Sequence, residues 1–438
     1  MWNRREALRL IAGCAAAPFL ARGQDQPRPN FVLLLADDLG YGDVGFNGRK
    51  DFETPNLDRL SGQGTIFNRW YTASPLGGPA CASLLTGKYT IHNSVRSGAV
   101  DLPKSEVTIA EALKPYGYTS GFVGKWHRGT TSKDGVFTHP LDQGFDHFFG
   151  YLDPRLAAEH FPKTLFRGRD PVPVSGYSTD LIAEDAGKFI QANKGTPFFL
   201  FSSFTVPHFA IEAPEDEVAR YRGKFKERNP AKPYNAIYAA MVHRLDACIG
   251  RIVKDIDDAG LAENTIIVFC SDNGATFEKP NEGASSYHDS NRPFRGQKRS
   301  LEEGGIRVPA CVRWKSAVPA GKRSDDIVHV IDLLPSLMAA AGLAPDPAWK
   351  VDGENMVDVW TGRRRALERT LFWEWQTEGS DMYAAIRGEH KLLQIGANHF
   401  LYDVVRDPQE RRNVAAEYPD VMRQLQAELK AWRATALQ

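Results

Sequence analysis

The segment Asn30-Phe-Val-Leu-Leu-Leu-Ala-Asp-Asp-Leu-Gly-Tyr-Gly-Asp43 constrains this chain more than any other. An unbroken apolar run, Phe31 to Ala36, ends in two adjacent carboxylates, Asp37 and Asp38. Such a run reads as a strand buried on both faces, as in the centre of a parallel sheet. Open α/β sheets carry their sites just beyond the carboxyl ends of these strands. Neighbouring carboxylates there repel each other unless positive charge lies between them. A hard cation, Ca²⁺ with Mg²⁺ as the alternative, takes oxygen ligands. The Asp pair by itself is compatible with a solvated loop. The strand before it and the Gly-Tyr-Gly turn after it point to a metal site.

Further strands are expected at Thr119–Val123, Pro197–Ser202 and Thr265–Phe269. Helical spacing marks Thr54–Leu60, Val107–Leu113, Asp180–Gln191, Tyr234–Gly260 and Ile327–Ala341. Ile66-Phe67 and Trp70-Tyr71 read as a buried connection, and Ser83–Thr86 as a helix start after a Gly77-Gly78-Pro79 loop. The alternation predicts a doubly wound α/β fold with a mostly parallel central sheet flanked by helices. Its strand ends would deliver Asp37/Asp38, Lys125/His127, His208 and Asp272/Asn273 to one place. Past about Pro345 the pattern changes to short strands at Arg369–Trp375, Tyr383–Arg387, Lys391–Ile395 and His399–Val404, then an amphipathic helix over Asp420–Ala434. A small antiparallel sheet plus helix is expected, dividing the chain into 28–345 and 346–438.

The 438 residues carry 54 basic and 54 acidic side chains, so no overall field steers the protein towards nucleic acid or a membrane. Nothing past residue 30 is long and apolar enough to span a bilayer. Residues 1–23, with Arg4-Arg5, a short apolar middle and a small-residue end, read as a twin-arginine-like signal peptide. An exported, periplasmic or extracellular protein is expected. Ile11–Cys14 also has the form of a lipoprotein box, but Arg9 interrupts the apolar stretch before it. Five scattered cysteines, Cys14, Cys81, Cys248, Cys270 and Cys311, argue against a disulfide framework and a zinc site, and read mostly as core residues; with Cys14 removed, one bridge stays open.

Together these segments resemble the sulfatase family of the alkaline phosphatase superfamily. The resemblance rests on Asn30–Asp43, Thr54–Leu60, Leu84–Tyr89, Gly124–His127, Gly144–Asp146, Pro207-His208, Ser271–Gly274, Arg295–Lys298, Glu303–Pro309 and the Leu401–Asn413 pattern, in the family's order. It implies one divalent cation, usually calcium, held by Asp37, Asp38, Asp272 and Asn273. It also implies that Lys125, His127, His208 and Lys298 are the catalytic and substrate-binding side chains around a sulfate group. Cations aimed at the oxygens stabilise charge that grows as the ester bond breaks, and His127 or His208 would protonate the leaving alcohol. Taken singly, Lys298 is an ordinary charged-cluster residue and the two histidines ordinary loop residues; their joint occurrence gives them roles.

One family element is missing. The family's nucleophile is a Cys or Ser in Cys/Ser-x-Pro-Ser-Arg, oxidised to formylglycine. Aligned on Leu84-Leu-Thr-Gly87 and Pro79, Gly77 stands at that degenerate nucleophile position, Ala80 replaces the Ser and Cys81 the Arg. No formylglycine is expected at a residue without a side chain. Cys81 reads as a buried thiol, one helical turn away and pointing elsewhere. Three outcomes follow. The protein is a hydrolase of anionic, sulfated or acidic carbohydrate using a non-covalent, metal- and His-assisted water attack, on a glycosidic bond or a sulfate ester. Or it is a non-catalytic binder of such glycans. Or it is an inactive remnant, which the retained ligand set argues against. Glu278, Glu282, His288 and Asp289 are more remote candidate bases, and Arg128–Pro140, Leu152–Asp170 and Phe277–Pro293 candidate rim loops.

Overall fold

The computed structural model describes residues 27–97, 100–126, 138–377 and 380–436. Residues 1–23, with the expected signal and Cys14, and His127 with most of the 128–140 rim loop lie outside these ranges.

The strands are β1 (Asn30–Asp37), β2 (Thr65–Tyr71), β3 (Thr119–Lys125), β4 (His147–Tyr151), β5 (Thr164–Arg167), β6 (Asp170–Pro173), β7 (Phe198–Pro207), β8 (Thr265–Ser271), β9 (Ala310–Arg313) and β10 (Lys322–His329). They form one sheet in the order β10-β2-β9-β8-β1-β7-β3-β4-β5-β6. β1 pairs in parallel with β7 and β8, and β3 with β4 and β7. β9 runs antiparallel between β8 and β2, so β2 points the same way as β8 and β1. The carboxyl ends of β1, β2, β3, β7 and β8 therefore share one edge.

β1 lies at the centre because both of its faces are apolar. Phe31, Leu33 and Leu35 join one core, and Val32, Leu34 and Ala36 the other, the period of two expected of a strand covered on both sides. The second core is closed by α1 (Pro55–Gly62), α3 (Ser178–Asn193) and α4 (Tyr234–Asp258). On α4, Asp246 accepts from the Leu57 N–H at 2.7 Å and the Asn56 N–H at 3.1 Å, capping the start of α1 from a neighbouring helix. The first core is closed by α2 (Gly77–Thr86), α5 (Leu333–Ala340) and the C-terminal region.

That region is a meander of β11 (Leu371–Thr377), β12 (Ser380–Arg387), β13 (His390–Ile395) and β14 (Asn398–Asp403), antiparallel in sequence order, followed by α6 (Pro419–Thr435). α6 buries Leu425, Leu429 and Trp432. One apolar core runs continuously from Leu33 through Trp373 to Trp432. Fully buried Lys391 also joins the two sheets, 3.0 Å from Glu303 and 2.9 Å from Glu410. Tyr71 and Arg307 complete the Glu303 carboxylate at 2.8 and 3.2 Å, so the buried charge is paired.

Three expectations are corrected. The Ile66–Tyr71 connection is a strand, β2, whose polar Asn68 and Arg69 hid it. The chain before α5 is strand β10 and a short 3₁₀ turn, so Ile327–Ala341 is not one helix. Gly77-Gly78-Pro79 is the first turn of α2, not a loop before it. Pro is tolerated there because first-turn N–H groups have no intrahelical partner. Cys81, Cys248, Cys270 and Cys311 are all buried, as core residues should be. No helix among the described residues is long and apolar enough to cross a membrane.

Candidate functional site

Asp37 and Asp38 follow the last apolar residue of β1, where a register shift sets Asp37 opposite Pro207 of β7. Asp38 has φ 62°, in the left-handed region that Asp tolerates better than most residues. This backward turn brings its N–H to Asp272 Oδ1 at 3.0 Å. Asp272 arrives by β8, and its own N–H bonds the Ala36 carbonyl at 3.1 Å. Its neighbour Asn273 donates through Nδ2 to Asp38 Oδ1 at 2.7 Å. The next turn is packed so closely that a Cβ on Gly40 would lie 2.1 Å from the Ser290 carbonyl oxygen.

Two buried lysines meet these carboxylates. Lys125, at the end of β3, is 2.5 Å from Asp37 Oδ2, and Lys298 is 2.8 Å from Asp38 Oδ2. Lys298 is held by its N–H on the Ala275 carbonyl, in the loop that Asp272 begins. His208 follows β7, with Nε2 3.9 Å from Asp38 Oδ2. One potential ligand atom each from Asp37, Asp38 and His208 lies within 4.8 Å of the others. The structure thus gathers Asp37, Asp38, Asp272, Asn273, Lys125, Lys298 and His208 into one cluster.

Burial dominates the electrostatics of the cluster. Burial pushes the Asp37 carboxyl up against the pull of Lys125, with Asp38 adding to the rise. Burial likewise drives Asp272 well above its ordinary range, reinforced by Asp37 and Asp38. Lys298 is held above its ordinary value because Asp38, Asp37 and Asp272 outweigh its burial. Burial, with Lys125 and Lys298 nearby, drives His208 well below its ordinary value, so it is neutral at pH 7. Its Nδ1 is 2.6 Å from the Phe209 carbonyl, which assigns the proton to Nδ1 and leaves Nε2 a proton acceptor. The expected proton donor is therefore better suited to be a base.

Three carboxylates against two ammonium groups leave one formal negative charge if all ionise. Asn273 Oδ1, fully buried, has no hydrogen-bond partner among the described residues. An orphaned buried acceptor among buried carboxylates costs stability unless a cation satisfies it. This all-oxygen donor set fits a calcium-sized hard cation.

The loop after β2 brings α2 to the same edge. Thr72 Oγ1 donates to the Asp272 carbonyl at 2.5 Å, and the Arg299 N–H to the Pro75 carbonyl at 2.8 Å. Gly77 opens the helix two residues later, buried and without a side chain. Cys81 lies one turn on, which places it on the same helix face as Gly77 rather than pointing elsewhere. It is buried and belongs to the apolar core.

Several positioning residues carried no local signal in the sequence. Buried His160 lies 3.0 Å from the His208 carbonyl through Nε2. Asn291 grips both backbone groups of Ala275, at 2.8 and 3.0 Å. Of the remote candidate bases, His288 is a packing residue. Its Nε2 bonds the Asn235 carbonyl at 2.9 Å, and Phe52, Phe225 and Tyr238 enclose its ring. Glu278 pairs with Arg299 at 3.0 Å, beside Lys298.

The sulfatase family profile matches residues 29–343, and a second profile, N-sulphoglucosamine sulphohydrolase, C-terminal, matches 295–435. The chain is 32% identical over 409 residues to N-acetylgalactosamine-6-sulfatase of Homo sapiens, covering 85% of this chain and 72% of that protein. It is 29% identical over 432 residues to the steryl-sulfatase of Homo sapiens, covering 79% and 72%. The crystal structure of Ps i-CgsB in complex with k-i-k-neocarrahexaose superposes with a TM-score of 0.82 at 29% identity, covering 92% of both chains.

Proposed function

Because this chain belongs to the sulfatase family, we propose that it is an exported hydrolase of sulfated or acidic carbohydrate that works at a calcium site without a formylglycine nucleophile. The observation that carries the reading is the meeting of Asp37, Asp38, Asp272 and Asn273 with Lys125, Lys298 and neutral His208 beside a helix that opens on Gly77. Calcium, when bound, would turn the local charge from negative to positive and so favour an anionic group in the cleft. Lys125 and Lys298 would hold the sulfate or carboxylate oxygens as charge develops on them. His208 Nε2 would take a proton from the attacking water, a task suited to a neutral imidazole. His127 is the fourth pocket residue in this reading. The space left by Gly77 would admit that water or a sugar hydroxyl, and Asp37, Asp38, Asp272 and Asn273 would hold the cation. We assign this chemistry to residues 28–345 and a supporting role to 346–438.

A relative named N-acetylgalactosamine-6-sulfatase and a neighbour crystallised with k-i-k-neocarrahexaose support an anionic sugar as substrate. The bond cleaved is a sulfate ester or a glycosidic linkage in such a sugar. A non-catalytic binder of sulfated or acidic glycans is the second reading. It is favoured by the double replacement at Gly77 and Cys81, which removes both the nucleophile and its arginine. Incubation of the purified protein with sulfated and unsulfated acidic oligosaccharides separates the two. Release of sulfate or of shorter sugar supports hydrolysis, and binding without product supports the binder.

A further inference from the structure

Two polar paths run from the C-terminal region to the backbone around Asp272 and Asn273. The first starts at Trp373 of β11, whose indole N–H donates to the Thr72 carbonyl at 2.7 Å. Thr72, just past β2, donates in turn through Oγ1 to the Asp272 carbonyl. The Trp373 ring also packs on Tyr71, with centroids 5.5 Å apart. The second path starts at Glu410, in the chain after β14, whose Oε2 accepts from the Glu303 N–H at 2.8 Å. Glu303 opens a short helical turn, Glu303–Ile306. In that turn the Gly305 carbonyl accepts from the Gly274 N–H at 3.0 Å, and the Gly304 N–H donates to the Arg295 carbonyl at 2.7 Å. The paths meet where the Ile306 carbonyl accepts from the Thr72 N–H at 2.9 Å.

Asp272 and Asn273 thus sit between two anchored peptide groups, the Asp272 carbonyl on Thr72 and the Gly274 N–H on Gly305. Neither path has slack. A Cβ on Gly274 would lie 1.8 Å from the Gly304 carbonyl oxygen, and one on Gly304 2.5 Å from the Gly296 carbonyl oxygen. Trp373, Thr72, Glu303 and Glu410 are all buried. Close-packed interiors pass a displacement on instead of absorbing it. The affinity of oxygen donors for a hard cation depends on their charge and on the rigidity of the site. Partners that fix the donors commonly change metal affinity by about 10–100-fold when removed. A shared apolar core already docks the C-terminal sheet on the main one. The two polar paths do something else, since both end on the ligand turn.

We propose that Trp373 and Glu410 are positioning residues through which the C-terminal region braces the Asp272–Gly274 turn and so sets the protein's affinity for calcium. The inference rests on the reading of the central cluster as a calcium site. The test is calorimetric titration of calcium into the metal-free full chain, at a temperature where every variant is folded. Trp373→Phe keeps the ring and removes the N–H; Glu410→Ala removes the acceptor. Each should weaken calcium binding about tenfold or more. Glu410→Gln keeps an oxygen for the Glu303 N–H and should restore affinity to within about threefold of wild type. Leu425→Ala, in the buried face of α6 and outside both paths, is the control for stability alone. It should lower the melting temperature and leave calcium affinity unchanged. Wild-type affinity in both Trp373→Phe and Glu410→Ala overturns the brace and leaves the calcium site standing. So does a loss in Leu425→Ala as large as theirs, because the effect is then general loosening. If Glu410→Ala does not fold, Trp373→Phe decides. A wild-type chain that binds no calcium overturns the central-site reading and the brace with it.

Discussion

Asp38 concentrates the constraints of this site in one residue. Its left-handed backbone, two side-chain contacts at 2.7 and 2.8 Å and its N–H on Asp272 leave it no freedom to move. Burial keeps the neighbouring Asp37 and Asp272 from water and raises both carboxyls above their ordinary range. In the proposed mechanism proton transfer depends on His208. His208→Gln should lower product formation by about a hundredfold with little change in substrate affinity, as measured by steady-state kinetics on the oligosaccharide that the product assay identifies. An unchanged turnover would show that His208 is not the base. Cys81 makes the opposite prediction. As a core thiol that takes no part in the chemistry, Cys81→Ser should leave turnover within about twofold, and a loss beyond tenfold would assign the thiol a part in catalysis.

Among the elements, β1 was legible in the sequence because both its faces are apolar, and its neighbours β7 and β8 for the same reason. β2 was not, since Asn68 and Arg69 interrupt it and their needs are met far away in sequence: Arg69 donates to the Gly388 carbonyl at 2.6 Å. β10 begins Lys-Arg-Ser-Asp-Asp because it is an edge strand, where charge blocks further pairing. The start of α2 was hidden by residues that usually mark loops. Two long-range contacts give predictions at this scale. His288 is buried neutral, its proton affinity pushed down to about 4 by burial. The unfolded chain protonates near 6.5, so it binds more protons than the folded one between those values, and stability falls as pH falls. The loss is at most about 3 kcal/mol. His288→Phe should flatten the pH dependence of the denaturation midpoint between pH 6.5 and 4, and an unchanged slope would contradict this. Lys391 is held above its ordinary value by Glu303 and Glu410, despite burial. Lys391→Met leaves the buried Glu410 carboxylate without its cation, while Glu303 keeps Arg307, and should cost about 3–5 kcal/mol in chemical denaturation. A loss below about 1 kcal/mol would mean that the two sheets are joined by apolar packing alone.

For the whole molecule, the sheet was legible because parallel strands leave long apolar runs, and the site because each run ends in polar residues. The pairing of those residues was not legible. Nothing in the sequence shows that Lys125 meets Asp37 and Lys298 meets Asp38, or that His160 and Asn291 hold their neighbours in place, because such contacts span tens to hundreds of residues. The fold thus brings Asp37, Asp38, Asp272 and Asn273 together with Lys125, Lys298 and His208 at one edge, beside a helix that opens on Gly77, and we propose this cluster as a cation cradle and anion pocket. The cradle is tested most directly by native mass spectrometry of protein equilibrated with calcium and then exchanged into metal-free volatile buffer. The account predicts one calcium ion per chain in the wild type and its loss in Asp272→Ala. A wild-type chain without any divalent ion, or an Asp272→Ala chain that keeps it undiminished, would contradict it.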